Sequence, residues 1–414
     1  MNNIFSIIQI AFKNLMSQKL RTILTIVAVA IGIASLIIMI SAGNGLKSMV
    51  LSELEVYGSN VINIEVRIPG KGTTGSATGM AMGSTITTFK NSDVKEIIAL
   101  PNIESHYAYI TGQEIIKKDG NNKSVMIFGY GADAPLVERI EIKEGRFYTP
   151  DEENSITPVI VLGSSIKEFL FGDNDAIGQK VTLRNISFRV VGVLKEKGAT
   201  FGVDMDSIVY LPTFLMQKRL LNTDYIMGLS VSVKDGEKIE QTKEEIVQLL
   251  RERHDINSPE EDDFEAMTMV EARDMINIVF SAITFLLSVI AAVSLLVGGV
   301  GITNIMYVSV VERTFEVGLR RAIGAKRKDI LWQFLAEASI LTFLGGVMGV
   351  IIGILISYLV YYVAISFGIN WSFDVSILSV FSALLFSFSI GIIAGVYPAR
   401  EASKTDPINA LRRE

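Results

Sequence analysis

The chain has 414 residues, 49% of them hydrophobic, with a mean hydropathy of +0.41 and a formal net charge of −6. That is too apolar for an ordinary soluble protein and too acidic for a nucleic-acid partner. The absence of cysteine excludes disulfide staples, thiolate metal sites and cysteine nucleophiles. Four windows without a charged side chain, 22–46, 275–311, 338–373 and 375–399, each exceed the roughly 20 residues that cross a bilayer as a helix.

At the N-terminus, Ile4, Ile8, Phe12, Leu15 and Met16 share one helical face, while Ser6, Gln9, Lys13 and Ser17 share another. This fits an interfacial amphipathic helix over 1–20, or equally the first turns of the first membrane helix. The length of the basic segment and of the uncharged run that follows does not fit a cleaved signal peptide. The first membrane helix is expected at 21–46.

A large polar domain follows, over 47–274. Val61–Arg67 alternates like a strand, Ser92–Leu100 reads as a helix capped by Asn91 or Ser92, and Glu104–Ile116 is again strand-like. A second unit of the same kind follows later, with a strand at Ile226–Val233, a helix at Glu237–Arg251 and a strand at Phe264–Val270. Between them, over about 120–222, short strands at Val125–Gly129, Val159–Leu162, Lys180–Leu183, Phe188–Leu194 and Ile208–Leu211 indicate a mostly β insert. Pro69–Thr88 is so rich in Gly, Thr, Ser, Ala and Met that it reads as a loose loop, although Met80 and Met82 could touch an apolar partner. His106 and His254 are expected at the surface or on an edge strand, and the run Glu260–Asp263 as a solvated loop.

The remaining membrane helices are expected at 275–311, 331–364 and 376–398, with a charged helix at 312–330, a short loop at 365–375 and a tail at 399–414. Residues 1–21 carry Lys13, Lys19 and Arg21 and no acid, 312–330 carries six basic against three acidic residues, and the tail carries four against three. Residues 44–275 carry 25 basic against 36 acidic side chains. By the positive-inside rule both termini and the 312–330 helix are cytoplasmic and the large domain lies outside. The expected fold class is an α-helical membrane protein with four transmembrane helices plus a large α+β extracytoplasmic domain. That domain is a βαβ-type, porter-like body with an inserted mostly β subdomain.

The membrane windows hold no chain of acids, bases or histidines of the kind a proton-coupled pump shows. Glu337, at the cytoplasmic start of the third helix, reads as an interfacial carboxylate paired with a nearby Lys or Arg. Small residues recur in register: Gly298, Gly299 and Gly301 in the second helix, Gly345, Gly349 and Gly353 in the third, Gly391 and Gly395 in the fourth. Such spacing lets helices approach closely, within one chain or between two. No phosphate-binding loop is present, because the one Gly-Lys pair, Gly70-Lys71, is followed by Gly72 rather than Ser or Thr.

Ser294–Ala325, reading SLLVGGVGITNIMYVSVVERTFEVGLRRAIGA, and Tyr397–Arg412, reading YPAREASKTDPINALR, closely resemble the permease of MacB-like, macrolide-exporter-type ABC transporters of the FtsX-like superfamily. The resemblance implies that the helix after the second crossing is a coupling helix docking on an ATPase. Its pattern is matched by Glu312, Arg313, Thr314, Glu316, Gly318, Arg320, Ala322, Gly324 and Ala325. The spacing of Glu312, Glu316 and Arg320 also allows ion pairs along one face, and Gly318, Ala322 and Ala325 offer a face for close approach. The resemblance further implies a permease homodimer and mechanotransmission, with ATP and Mg bound by the ATPase and no catalytic or metal site on this chain. The best-known members carry a fused ATPase domain, whereas this sequence starts within about twenty residues of the first crossing. A separate ATPase subunit and a membrane-fusion adaptor are therefore expected, for export of antibiotics, peptides or similar amphiphiles. A lipoprotein-releasing permease and a ligand-sensing membrane receptor are the alternatives.

Overall fold

The computed structural model describes residues 19–54, 58, 60–70, 86–200, 203–367, 369 and 371–411. The amphipathic pattern at 1–18 and most of the 69–88 loop, with Met80 and Met82, lie outside them. The chain divides into two compact units, 1–50 with 276–414, and 51–275.

The membrane unit is built from four helices long and apolar enough to cross a bilayer: α1 (Lys19–Leu54), α5 (Met269–Glu312), α7 (Arg327–Ser366) and α8 (Ile377–Lys404). α1 and α5 run beyond their apolar windows at both ends, whereas α7 and α8 overrun theirs only on the side of the charged segment and the tail and stop short of them at the 365–375 loop. The short α6 (Thr314–Ala322) joins α5 to α7, and α9 (Pro407–Leu411) follows α8.

Small residues decide how α7 packs. A side chain at Gly345 would lie 2.7 Å from the Val29 Cβ, one at Gly349 2.7 Å from the Ala30 carbonyl oxygen, and one at Gly353 2.8 Å from the Ile37 Cβ. This stripe seats α7 directly on α1. On α8, a side chain at Gly391 would collide with Thr342, and one at Gly395 would meet the Ala338 Cβ at 2.7 Å. Pro398 lies inside α8 and cannot donate to the carbonyl four residues back. The Thr303 hydroxyl of α5 donates to that carbonyl, on Ala394, at 3.0 Å, satisfying a group that lipid could not.

In the other unit, strands β1 (Val61–Val66), β2 (Ile103–Lys118), β3 (Asn121–Tyr130), β4 (Ile142–Gly145), β5 (Val159–Leu162), β6 (Lys180–Leu183), β7 (Ile186–Leu194), β8 (Ala199–Thr200), β9 (Val203–Asp204), β10 (Ile208–Pro212), β11 (Gly228–Val233) and β12 (Phe264–Thr268) alternate with α2 (Asn91–Ile98), α3 (Ser164–Phe171) and α4 (Ile239–Arg253). The body and the insert share one sheet, in the order β12-β1-β11-β2-β3-β10-β5-β7-β4, with β6 bonded to β2 and β7, while β8 and β9 pair separately. The join is the long β2–β3 hairpin, in register from Tyr109 opposite Tyr130 to Lys118 opposite Asn121. Ile62, Ile64, Leu229, Ile97, Ile246 and Leu250 form the core between the body strands, α2 and α4. Ile110, Ile127, Leu162, Ile166, Phe188 and Leu211 form that of the insert.

Two surface expectations fail in this unit. His254 is buried, its Nδ1 2.8 Å from an Asp263 oxygen and its Nε2 3.6 Å from Asp93. His106, by contrast, is partly exposed on the stretch of β2 that pairs with β11 alone, because β3 joins β2 only from Tyr109 onward, so it stands on a local edge as expected. Within the acidic run, Asp262 and Asp263 are buried, and Asp262 takes a bidentate contact from Arg251 at 2.7 and 2.8 Å. Periodicity counts charges without showing which of them will meet a partner.

Candidate functional site

The candidate site is α6 and the chain that surrounds it. Helical bonding passes almost unbroken from α5 into α6, with Arg313 N–H donating to the Ser309 carbonyl and Val317 N–H to that of Arg313. The Thr314 hydroxyl folds back onto the Val310 and Val311 carbonyls, a competition that bends helices. Gly324, at φ +106°, ends α6: the Ala325 N–H reaches back to the Arg320 carbonyl at 3.1 Å, a 6→1 closure that favours glycine. The Lys326 N–H then donates to Asp329 at 3.0 Å and starts α7.

Most of the charged side chains of α6 are engaged within the chain. Arg313 donates to Glu337 of α7 at 3.2 and 3.4 Å and lies 3.9 Å from Glu316. Arg320 donates to Glu316 and to Gln333 of α7, both at 2.6 Å, and Gln333 donates to Glu337 at 3.2 Å. Arg321 donates to the Ser403 and Thr405 carbonyls at the end of α8, at 3.2 and 2.8 Å. Glu337 thus has the basic partner expected of it, and that partner is Arg313.

The small residues divide. Gly318 is buried, and a side chain there would come within 2.4 Å of the Ala410 Cβ on α9. Ala325 packs on the core of the membrane unit. Ala322, Gly324 and Glu312 are exposed. The close approach that Gly318 and Ala325 permit is therefore made to the chain itself.

What α6 presents outward is apolar. Phe315, Leu319 and Ile323 are 55%, 47% and 79% exposed and recur every four residues, so they form one stripe. The sequence contains that spacing, but the adjacent charges draw attention from it. Gln333, Ser403 and Ala410, which hold α6 from behind, give no local signal because they are distant in the chain.

Not all the helix-packing glycines are used either. A side chain at Gly299 would come within 3.2 Å of Ile390, but one at Gly298 or Gly301 would meet nothing within 4 Å. Both line a groove of about 340 Å³ with Ala28, Gly32 and Ser35 of α1 and Ser294 of α5.

Among the described residues, four helices long and apolar enough to cross a membrane, a sheet-based domain inserted after the first of them and a short helix held at the end of the second define a multi-pass membrane protein with an extracytoplasmic domain. Two family models match the chain, the MacB-like periplasmic core domain over residues 22–249 and the FtsX-like permease C-terminal region over 288–407. Among curated proteins it is similar to the macrolide export ATP-binding/permease protein MacB of Bdellovibrio bacteriovorus, 34% identical over 97% of this chain and 61% of that protein. It is likewise similar to the MacB of Chlorobium luteolum, 36% identical over 98% of this chain and 60% of that protein. The periplasmic region of MacB from Actinobacillus actinomycetemcomitans aligns with a TM-score of 0.46 at 21% identity, over 55% of this chain and 97% of that one. The chain belongs to the MacB-like family of FtsX-type ABC transporter permeases. It spans about 60% of the length of the curated relatives it matches.

Proposed function

We propose that this chain is the permease subunit of an ABC export system, driven by ATP hydrolysis on a separate ATPase that docks on α6. The observation that carries the reading is the stripe Phe315, Leu319 and Ile323, exposed on a helix whose opposite side is held by α7, α8 and α9. An exposed, rigidly held apolar face is what a partner surface needs, since little ordering entropy is lost on docking. Glu312, Ala322 and Gly324 belong to the docking face. Arg313, Thr314, Glu316, Gly318, Arg320 and Ala325 act from behind it, by holding α6 in place.

ATP and Mg bind to the ATPase, and closure of its nucleotide sites pushes on α6. The helix α5, continuous from Met269 to Glu312, carries that movement toward the extracytoplasmic domain, so substrate need not pass between apolar helices that lack a polar lining. Both termini are cytoplasmic in this reading, which the charge asymmetry supports. Two permeases pair along the α1–α5 groove, where a side chain at Gly298 or Gly301 would meet nothing within 4 Å. A membrane-fusion adaptor meets the outer domain, and the cargo is an antibiotic, peptide or similar amphiphile.

The test of docking is affinity capture of the ATPase from detergent by the full chain. Burying an aspartate in an apolar interface costs about 2 kcal/mol or more, so Leu319→Asp should weaken capture by at least about thirtyfold. A variant that captures the ATPase as well as the parent would remove α6 as the docking helix.

A further inference from the structure

Five side chains close a ring behind α6. Glu337 accepts from Arg313, Arg313 lies beside Glu316, Glu316 accepts from Arg320, Arg320 donates to Gln333, and Gln333 donates back to Glu337. The members are drawn from the α5–α6 junction, from α6 and from α7, so the ring ties three segments of backbone together. Its deepest part is shut off from solvent: the Glu337 side chain is 4% exposed and that of Arg313 14%.

Stability alone does not account for such a ring. An ion pair taken out of water is often no more stabilising than well-packed apolar side chains of the same volume. Direction is what charge-assisted hydrogen bonds add, because they fix angles as well as distances. Packed methyl groups let two helices slide or roll; a ring of five side chains joined by four hydrogen-bonded links and one ion-pair contact resists both. On the other side, α7 carries the glycine stripe that seats it on the backbone of α1, so whatever turns α7 also loads α1.

We infer that the Glu337–Arg313 pair is the joint that makes α6 and α7 move as one body, so that a push on α6 enters the bundle through α7 as well as along α5. Glu337 is a positioning residue in this role, which rests on the reading of α6 as the docking helix. Uncoupling and undocking then become separable defects, because the pair lies behind α6 and the apolar stripe in front of it.

The cysteine-free sequence permits a direct measurement. Spin labels on cysteines replacing Ile323 of α6 and Leu355 of α7, both exposed, report the α6–α7 distance by pulsed dipolar spectroscopy in lipid nanodiscs. The parent should give one narrow distribution, and Glu337→Gln one at least twice as broad. Arg313→Lys, which keeps the cation, should stay close to the parent. The double variant Arg313→Gln with Glu337→Gln leaves no buried charge unpaired and so guards against misfolding; it should broaden like Glu337→Gln. An unchanged width in the double variant, or equal broadening in Arg313→Lys, would overturn the joint. Capture of the ATPase by the unlabelled Glu337→Gln chain should remain within about twofold of the parent. Loss of capture in the parent itself would overturn docking while leaving the distance measurement to decide the joint.

Discussion

Burial raises the Glu138 carboxyl to about 7, against the smaller opposing effects of the Tyr107 hydroxyl that donates to it and of Lys197 nearby. Glu153 is raised to about 7 in the same way, mainly by burial, although the Ala132 N–H donates to it. His254 is raised above 6.5, chiefly by its hydrogen bond to Asp263. For all three the folded state holds its proton more tightly than the unfolded chain. Their contribution is therefore complete below the unfolded values, near 4.5 for the glutamates and 6.5 for the histidine, and is lost as pH rises through the folded ones. Glu152, lowered to about 2 by Arg146, works in the opposite direction but only in stronger acid. Amide exchange in β2 and β3 of the full chain, corrected for its intrinsic pH dependence, should therefore show protection falling between about pH 5 and pH 8. Glu138→Gln, which needs no proton to stay neutral, should remove about half of the part of that fall that the two glutamates contribute, and Glu138→Gln with Glu153→Gln most of it. A slope unaltered by Glu138→Gln and Glu153→Gln together would contradict this account.

At the scale of elements, the membrane glycines are not equivalent. Gly349→Leu would drive a side chain into the Ala30 carbonyl and the Ile33 Cβ, both 2.7 Å from where its Cβ would lie. It should cost about 1–3 kcal/mol or more and lower the thermal midpoint in detergent. Gly298→Leu, on the open groove, should leave that midpoint within a degree or two and act on permease pairing instead, read as loss of the dimer by light scattering. Thr303→Val leaves the carbonyl freed by Pro398 without its donor and should cost about 1 kcal/mol, measured by the same melting curve. Regular spacing made the glycines of α7 and α8 legible in the sequence, since period and residue type together mark a close-packed face. It could not separate Gly298 from Gly299, because which side of α5 meets α8 depends on packing between helices far apart in the chain. Nor could it anticipate that Thr303 answers Pro398.

For the molecule as a whole, hydropathy and charge carried the four helices, and period-two alternation carried most strands of the outer domain to within a few residues. What local pattern did not show is that body and insert share a single sheet, because the order β12-β1-β11-β2-β3 is set by pairings across the full length of the domain. The charged segment at 312–330 was legible as a break in the membrane helices but not as one helix, since it holds the end of α5, α6 over Thr314–Ala322, the turn at Gly324 and the start of α7 at Arg327. The face that we propose for docking was not legible, because Arg313, Arg320 and Arg321 find their partners on α7 and α8, and only after they are committed is the stripe Phe315, Leu319 and Ile323 left facing out. The central claim, that power arrives from another polypeptide through that stripe, is tested most directly by reconstituting the chain with its ATPase in nanodiscs and comparing the parent with the double variant Leu319→Asp, Ile323→Asp. The parent should hold the ATPase through size-exclusion chromatography, and the double variant should release it while keeping the parent's melting profile. Co-elution of the ATPase with the double variant at the parent's ratio would contradict the account.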